Sequence, residues 1–306
     1  MQDVELAIMY RGWVPESFHR GRVVVVNPDG STRLALGDMD TPTLPRSALK
    51  PFQVIAMLEA GLDLDGELLA LAGASHQGEP MHTEGALQIL AGVGMDPDEL
   101  GNTADYPGDE RARDQWIRSG RVKESLAHNC SGKHAAMLRT CVRAGWTTEG
   151  YKAPEHPLQQ AVRRVIESYC GVEGEPVTDG CTAPAFATTL PGLARGFGKV
   201  AAEQRGPAKR IADAYRGHPE YMSGTRAPEV ALMRSVPGLV AKSGAEGVLA
   251  VGLPDGTGVA IKTSDGADRV RDDVAVAVLA ALGHEVRGIE PTVVLAPALT
   301  EALGGI

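Results

Sequence analysis

Ser47 and Lys50 stand three residues apart at the head of an apolar run, Val54 to Leu58. Positions three apart share one face of a helix, so a hydroxyl and an amine would lie side by side. A neutral amine takes the hydroxyl proton as the oxygen attacks a carbonyl, and the pair then works as nucleophile and base. The S-x-x-K spacing is one that serine acyl-transfer enzymes use. The same residues also read as a helix N-cap serine followed by a solvated lysine. Pro51 falls in the first turn, where a missing N–H costs little.

Three other segments carry reactive residue types. Ser75-His76-Gln77-Gly78-Glu79 follows the apolar stretch Leu68 to Ala74, and polar residues with a glycine at that place suit either a site loop or a capped turn. Lys262 ends a β-run that reads as buried. Burial lowers a lysine pKa by disfavouring the charged form, which is what a lysine base requires; an edge-strand lysine reaching water is the other reading. Lys242-Ser243-Gly244 is similar in form to a K-T-G strand motif of serine acyl-transfer enzymes. His128-Asn129-Cys130-Ser131-Gly132-Lys133-His134 packs two imidazoles, a thiol and an amine into one loop. A metal reading takes Cys130 as thiolate with a distant partner such as Cys181. The spacing is not that of a zinc finger, and a reduced cysteine packed under a helix fits as well.

The elements that must position these residues follow from hydrophobic periodicity and turn signals. Val4–Tyr10 reads as a strand. Residues 22–36 read as a hairpin, with four consecutive valines before the turn Asn27-Pro28-Asp29-Gly30. The Ser47 helix runs to Gly61, and Thr83–Leu90 is a short helix. Residues 95–120, rich in Gly, Pro and charge, read as loops. Ala135–Ala144 and His156–Tyr169 read as helices. The turn Asp179-Gly180-Cys181-Thr182 precedes a helical stretch over 185–195, and 208–215 and 229–234 are further helices. Leu239–Lys242, Val248–Leu253 and Val259–Lys262 read as strands, Asp273–Leu282 as a helix and Thr292–Leu295 as a last strand. Strands at both ends and helices between them predict an α+β unit. Its antiparallel sheet is built from about 1–45 and 238–306, with a helical, site-bearing part over about 46–237. A cleft is expected where the two parts meet.

Composition removes several function classes. The chain of 306 residues has a formal net charge of −9 and no basic cluster, so neither nucleic acid nor an anionic membrane is an expected partner. Aromatic residues make up only 4%, which leaves little surface for stacking bases. No run approaches the roughly 18 apolar residues of a membrane span. The acidic start, Met1-Gln2-Asp3-Val4-Glu5, lacks the basic and apolar regions of a signal peptide. A cytoplasmic location is expected, in which Cys130, Cys141, Cys170 and Cys181 would be thiols or metal ligands rather than disulfides.

Taken together, these segments resemble one family. Arg46-Ser47-x-x-Lys50-Pro51, Ser75-His76-x-Gly78-Glu79, His128 to His134, Asp179-Gly180-Cys181 and Lys262 are similar, in order, to motifs of the Rhizobium etli type of L-asparaginase, the asparaginase II family also called class 3. The resemblance implies a fold like the serine β-lactamases and glutaminases, and hydrolysis of L-asparagine to L-aspartate and ammonia. It implies two Ser–Lys pairs, Ser47 with Lys50 and Ser75 with Lys262. It implies zinc held by Cys130, Cys181 and Lys133, with Arg46 and Asp179 as substrate contacts and His134 beside the metal. It also implies a homodimer. The competing readings are a glutaminase, a β-lactam or peptide hydrolase on the same scaffold, a non-catalytic amino-acid-binding protein, and a metal-dependent structural protein.

Overall fold

The computed structural model describes residues 3–306. The chain opens with three strands, β1 (Val4–Arg11), β2 (Val14–Val26) and β3 (Thr32–Leu36). A 3-10 turn over Arg46–Leu49 leads into α1 (Lys50–Glu59), followed by α2 (Gly66–Ala72), α3 (Pro80–Ala91), α4 (Glu110–Arg118), α5 (Ser131–Ala144) and α6 (Pro157–Cys170). A small hairpin, β4 (Glu173–Thr178) and β5 (Pro184–Ala187), precedes α7 (Leu190–Ala202), α8 (Gly206–Gly217), α9 (Pro219–Met222) and α10 (Pro228–Ser235). The chain then returns to strand, with β6 (Val240–Gly244), β7 (Val248–Gly252) and β8 (Gly258–Thr263), and closes with α11 (Asp268–Ala281), β9 (Val294–Leu295) and α12 (Pro297–Leu303).

The expected α+β architecture is present. One antiparallel sheet takes strands from both chain ends in the order β6-β7-β8-β2-β1-β9, with β3 beside β2. The long strand β2 joins the two contributions. Its first part pairs with β1 and its last part, Gly21–Val26, pairs with β8. Val23 to Val26 are buried at every position, without alternation, because helices cover both faces. α7 packs on β2, β7 and β8, and α11 packs on β1, β7 and β8. Gly258 permits the close approach of α7, since a Cβ there would lie 1.9 Å from the Ala194 carbonyl oxygen.

Three local expectations are corrected. Ser47 is not an N-cap: it sits inside the 3-10 turn, and α1 begins at Lys50 with Pro51 in its first turn. The stretch 185–195 starts as strand β5. Its helix begins only at Leu190, where the Thr189 hydroxyl accepts from the Gly192 N–H at 3.1 Å. Within 95–120, α4 forms behind an Asp109 cap that accepts from the Ala112 N–H at 2.9 Å. Trp116 is its one buried residue, so there was no apolar stripe to read. No described helix is long and apolar enough to cross a membrane.

Candidate active site

The Ser47 turn is held from two sides. Upstream, Thr43 bridges to Thr188, its N–H donating to the Thr188 carbonyl at 2.8 Å. Arg46, directly before Ser47, has a left-handed backbone with φ of 53°, an uncommon state for a side chain of that size. From the sheet, the end of β6 lies against the turn. A Cβ on Gly244 would come within 2.0 Å of the Pro45 carbonyl oxygen and 3.3 Å of the Ala48 nitrogen. Glycine there lets strand and turn touch.

Lys50, the first residue of α1, is buried, and its amine has three partners. It donates to the Ser75 hydroxyl at 2.8 Å, to the Ala74 carbonyl at 2.5 Å and to the Cys130 sulfur at 3.1 Å. Burial drives its pKa below the ordinary lysine value and nearby Lys133 adds to this, while Cys130 opposes them. Ser75 follows α2 and is fixed through its backbone, its N–H donating to the Met222 carbonyl at the end of α9 at 3.0 Å. The next residue, His76, donates its N–H to the Asn129 carbonyl at 3.0 Å. The His76 ring is structural. It bonds Ser131 through Nε2 at 2.9 Å, accepts from the Gly78 N–H at 3.1 Å and stacks on His82. Glu79 accepts from the Thr225 N–H at 2.9 Å.

The two expected serine–lysine pairs are therefore rearranged. The Lys50 amine reaches Ser75, not Ser47. Lys262 does not approach Ser75: its amine donates to the carbonyls of Glu246 at 2.7 Å and Thr263 at 2.5 Å, closing the β6–β7 turn. Another buried lysine is Lys242, fully enclosed in edge strand β6. Side chains two apart on a strand share a face, so Lys242 points to the same side as Gly244, toward the Ser47 turn. Burial pulls its pKa to about 7; Glu229 resists the fall and Lys50 assists it.

A cavity of about 630 Å³ opens over these groups, with Ser47, Ser75, Asn129, Ser223, Glu229 and Ser243 in its wall. The Glu229 carboxylate takes both the hydroxyl and the N–H of Ser243, the latter at 3.2 Å. Glu229 and Ser223 carried no signal in the sequence: one is an acid in the first turn of a short helix, the other a lone serine between helices.

Behind Lys50 lies a second cluster. The turn Asp179-Gly180-Cys181 sends Asp179 to Arg46, whose Nε donates to Oδ1 at 2.6 Å, and Cys181 to Lys133, whose amine donates to the sulfur at 3.1 Å. Cys130 and Cys181 adjoin, both buried and free. The Cys181 thiol is the largest influence holding Cys130 well below the usual thiol range. Burial opposes it, and Lys50 and Lys133 assist. Cys181, with Cys130, keeps Lys133 protonated against the effect of burial. His134 bonds the Tyr151 hydroxyl through Nδ1 at 2.8 Å, while its buried Nε2 has no hydrogen-bond partner among the described residues. Burial lowers His134 to about 4. Among the described residues no three His, Cys, Asp or Glu side chains converge as a metal site. A site here needs the lysine as third donor.

A protein-family model described as L-asparaginase II matches residues 7–298. Among curated proteins, no sequence matches the chain. Several solved structures are similar. A β-lactamase from Mycobacterium bovis aligns with 16% identity and a TM-score of 0.47, over 85% of this chain and 94% of its own. A putative β-lactamase from Bacteroides dorei aligns with 15% identity and a TM-score of 0.41, over 94% and 92%. Mglu in its L-glutamate binding form aligns with 16% identity and a TM-score of 0.39, over 89% of this chain and 61% of its own.

Proposed function

This chain belongs to the L-asparaginase II family, and we propose that it hydrolyses the side-chain amide of L-asparagine to L-aspartate and ammonia, as an enzyme of the Rhizobium etli type. One observation carries the reading: the buried Lys50 amine meets the Ser75 hydroxyl at 2.8 Å, and Ser75 shares a cavity wall with Ser47.

In the proposed reaction Ser47 attacks the amide carbon. Its proton passes through the Ser75 hydroxyl to Lys50. Backbone N–H groups at the start of the Ser47 turn would hold the oxyanion. Collapse of the tetrahedral intermediate expels ammonia with the proton that Lys50 returns, and leaves an aspartyl ester on Ser47. Lys242 then takes a proton from water as the water attacks the ester; the acyl C–O bond to Ser47 breaks, the serine oxygen regains the proton from Lys242, and L-aspartate leaves. The adjoining Arg46 guanidinium and Asp179 carboxylate offer a charge pair that matches a zwitterionic amino acid: Arg46 for the α-carboxylate, Asp179 for the α-ammonium.

The donor set behind Lys50 fits zinc. It offers two adjoining thiols and the Lys133 amine, with the unpartnered His134 Nε2 beside them. Cys130, Cys181 and Lys133 would be the ligands, and Lys133 would lose its proton on binding. When bound, the metal supplies a fixed positive charge that orients the substrate. The nucleophile remains Ser47.

The test is ammonia release from L-asparagine and L-glutamine by the wild type and Ser47→Ala. Asparagine-dependent release that vanishes in the variant supports the reading. A wild type inert toward both amides contradicts it.

A further inference from the structure

Lys242 is buried in β6 with no side-chain hydrogen-bond partner among the described residues: its amine donates to the Ser243 carbonyl at 2.9 Å. Such a lysine is driven toward the neutral form, and a base that has become too weak cannot hold a proton taken from water. Two groups counter this, Glu229 first and Cys130 after it. Glu229, only 3% exposed, stands at the start of α10. It grips the residue next to Lys242, accepting from both the N–H and the hydroxyl of Ser243. Arg271 forms its hydrogen-bonded ion pairs on its own helix, with Asp268 at 2.8 Å and Asp272 at 2.9 Å. The hydrogen bonds of the Glu229 carboxylate run instead to the strand that carries Lys242.

We propose that Glu229 is a positioning residue: it clamps Ser243 and, through its buried negative charge, keeps Lys242 basic enough to accept a proton. This rests on the role given above to Lys242 in ester hydrolysis. The charged and titratable groups that act on Lys242 are Glu229 from α10, Lys50 from α1, Cys130 from the turn before α5 and Arg271 from α11. Glu229 is the carboxylate of that set. Its own ionised form persists despite burial because Lys242 and Arg271 hold it charged.

A purely structural strut and a charge that sets basicity respond differently to substitution. Glu229→Gln keeps the shape and most of the hydrogen bonding but loses the charge, whereas Glu229→Asp keeps the charge. The direct readout is the titration of the Lys242 amine by NMR on lysine-labelled protein, assigned with Lys242→Arg, alongside the pH profile of kcat. With Glu229→Gln the Lys242 midpoint should move to lower pH by about tenfold in proton concentration. The acid limb of kcat should move with it, and its plateau should fall. Glu229→Asp should leave the midpoint close to that of the wild type. An unchanged midpoint in a folded Glu229→Gln protein would overturn the proposal. The titration needs no turnover. A wild type inactive on asparagine would therefore contradict the proposed reaction, while the midpoint still decides the role of Glu229.

Discussion

Lys50 and Ser75 meet across 25 positions of sequence, amine to hydroxyl at 2.8 Å, and the same amine lies 3.1 Å from the Cys130 sulfur. One lysine thus touches both the serine site and the cysteine cluster. Lys262 spends its amine on two backbone carbonyls of a turn. Replacing Lys50 with Met should lower the rate of amide hydrolysis by about 10²-fold or more, the usual scale of a lost general base. Lys262→Met should stay within about threefold of the wild type, because it removes no group from the cavity wall. Steady-state ammonia release from both variants checks the assignment, and a loss in Lys262→Met as large as that in Lys50→Met would restore the Ser75–Lys262 pairing expected from sequence.

Lys242 links pH to stability. Its folded pKa of about 7 lies below the ordinary lysine value of 10.5, so between those values the unfolded chain binds a proton that the folded chain does not. Stability contributed at this position therefore rises with pH across that window, and at its acid end folding must either bury a charge or release a proton. Urea unfolding of the wild type and Lys242→Met, at pH 7 and at the alkaline end of the window, should show the wild type gaining relative to the variant as pH rises. Parallel curves would mean that Lys242 is not held near neutrality.

Gly244 is the point where sheet and nucleophile turn touch. A methyl group there would lie 2.0 Å from a backbone carbonyl oxygen, which cannot move aside as a side chain can. Gly244→Ala should cost about 1–3 kcal/mol of stability and reduce activity further by displacing Ser47. Thermal denaturation with a parallel rate measurement tests this, and an unchanged melting temperature would show that strand and turn are free to part.

The cysteine cluster predicts metal content. The wild type should carry about one zinc per chain, measured by elemental mass spectrometry on protein purified without chelator. Cys130→Ser and Cys181→Ser should each lose it. A metal-free wild type, or variants that retain zinc, would remove the metal from the account.

The parts of this molecule legible in its sequence are those with local causes. The valine run of β2 and the turn Pro254 to Gly258 between β7 and β8 announce themselves through β-branched residues and turn chemistry. The closing of one sheet from both chain ends follows from where such signals fall. The reactive segments were also visible as dense groupings of Ser, Lys, His and Cys. Their pairing was not. Whether Lys50 serves Ser47 or Ser75 depends on how the start of α1 sits against the end of α2. Lys242 and Lys262 look alike locally, each lying at or near the end of an apolar strand. They differ in which way the pleat points them: one into the protein beneath the Ser47 turn, the other across a surface turn. Glu229 was invisible for the same reason, because its partner Ser243 lies 14 positions away on a different element.

The central claim is that asparagine is cleaved through an ester on Ser47, with Ser75 and Lys50 moving the proton. Rapid mixing with L-asparagine, acid quench and peptide mapping by mass spectrometry tests it most directly. The account predicts an aspartyl group on the peptide that holds Ser47, accumulating to a higher level in Lys242→Met, where ester hydrolysis is slowed. An adduct on Ser75, or turnover with no adduct on either serine, would contradict it.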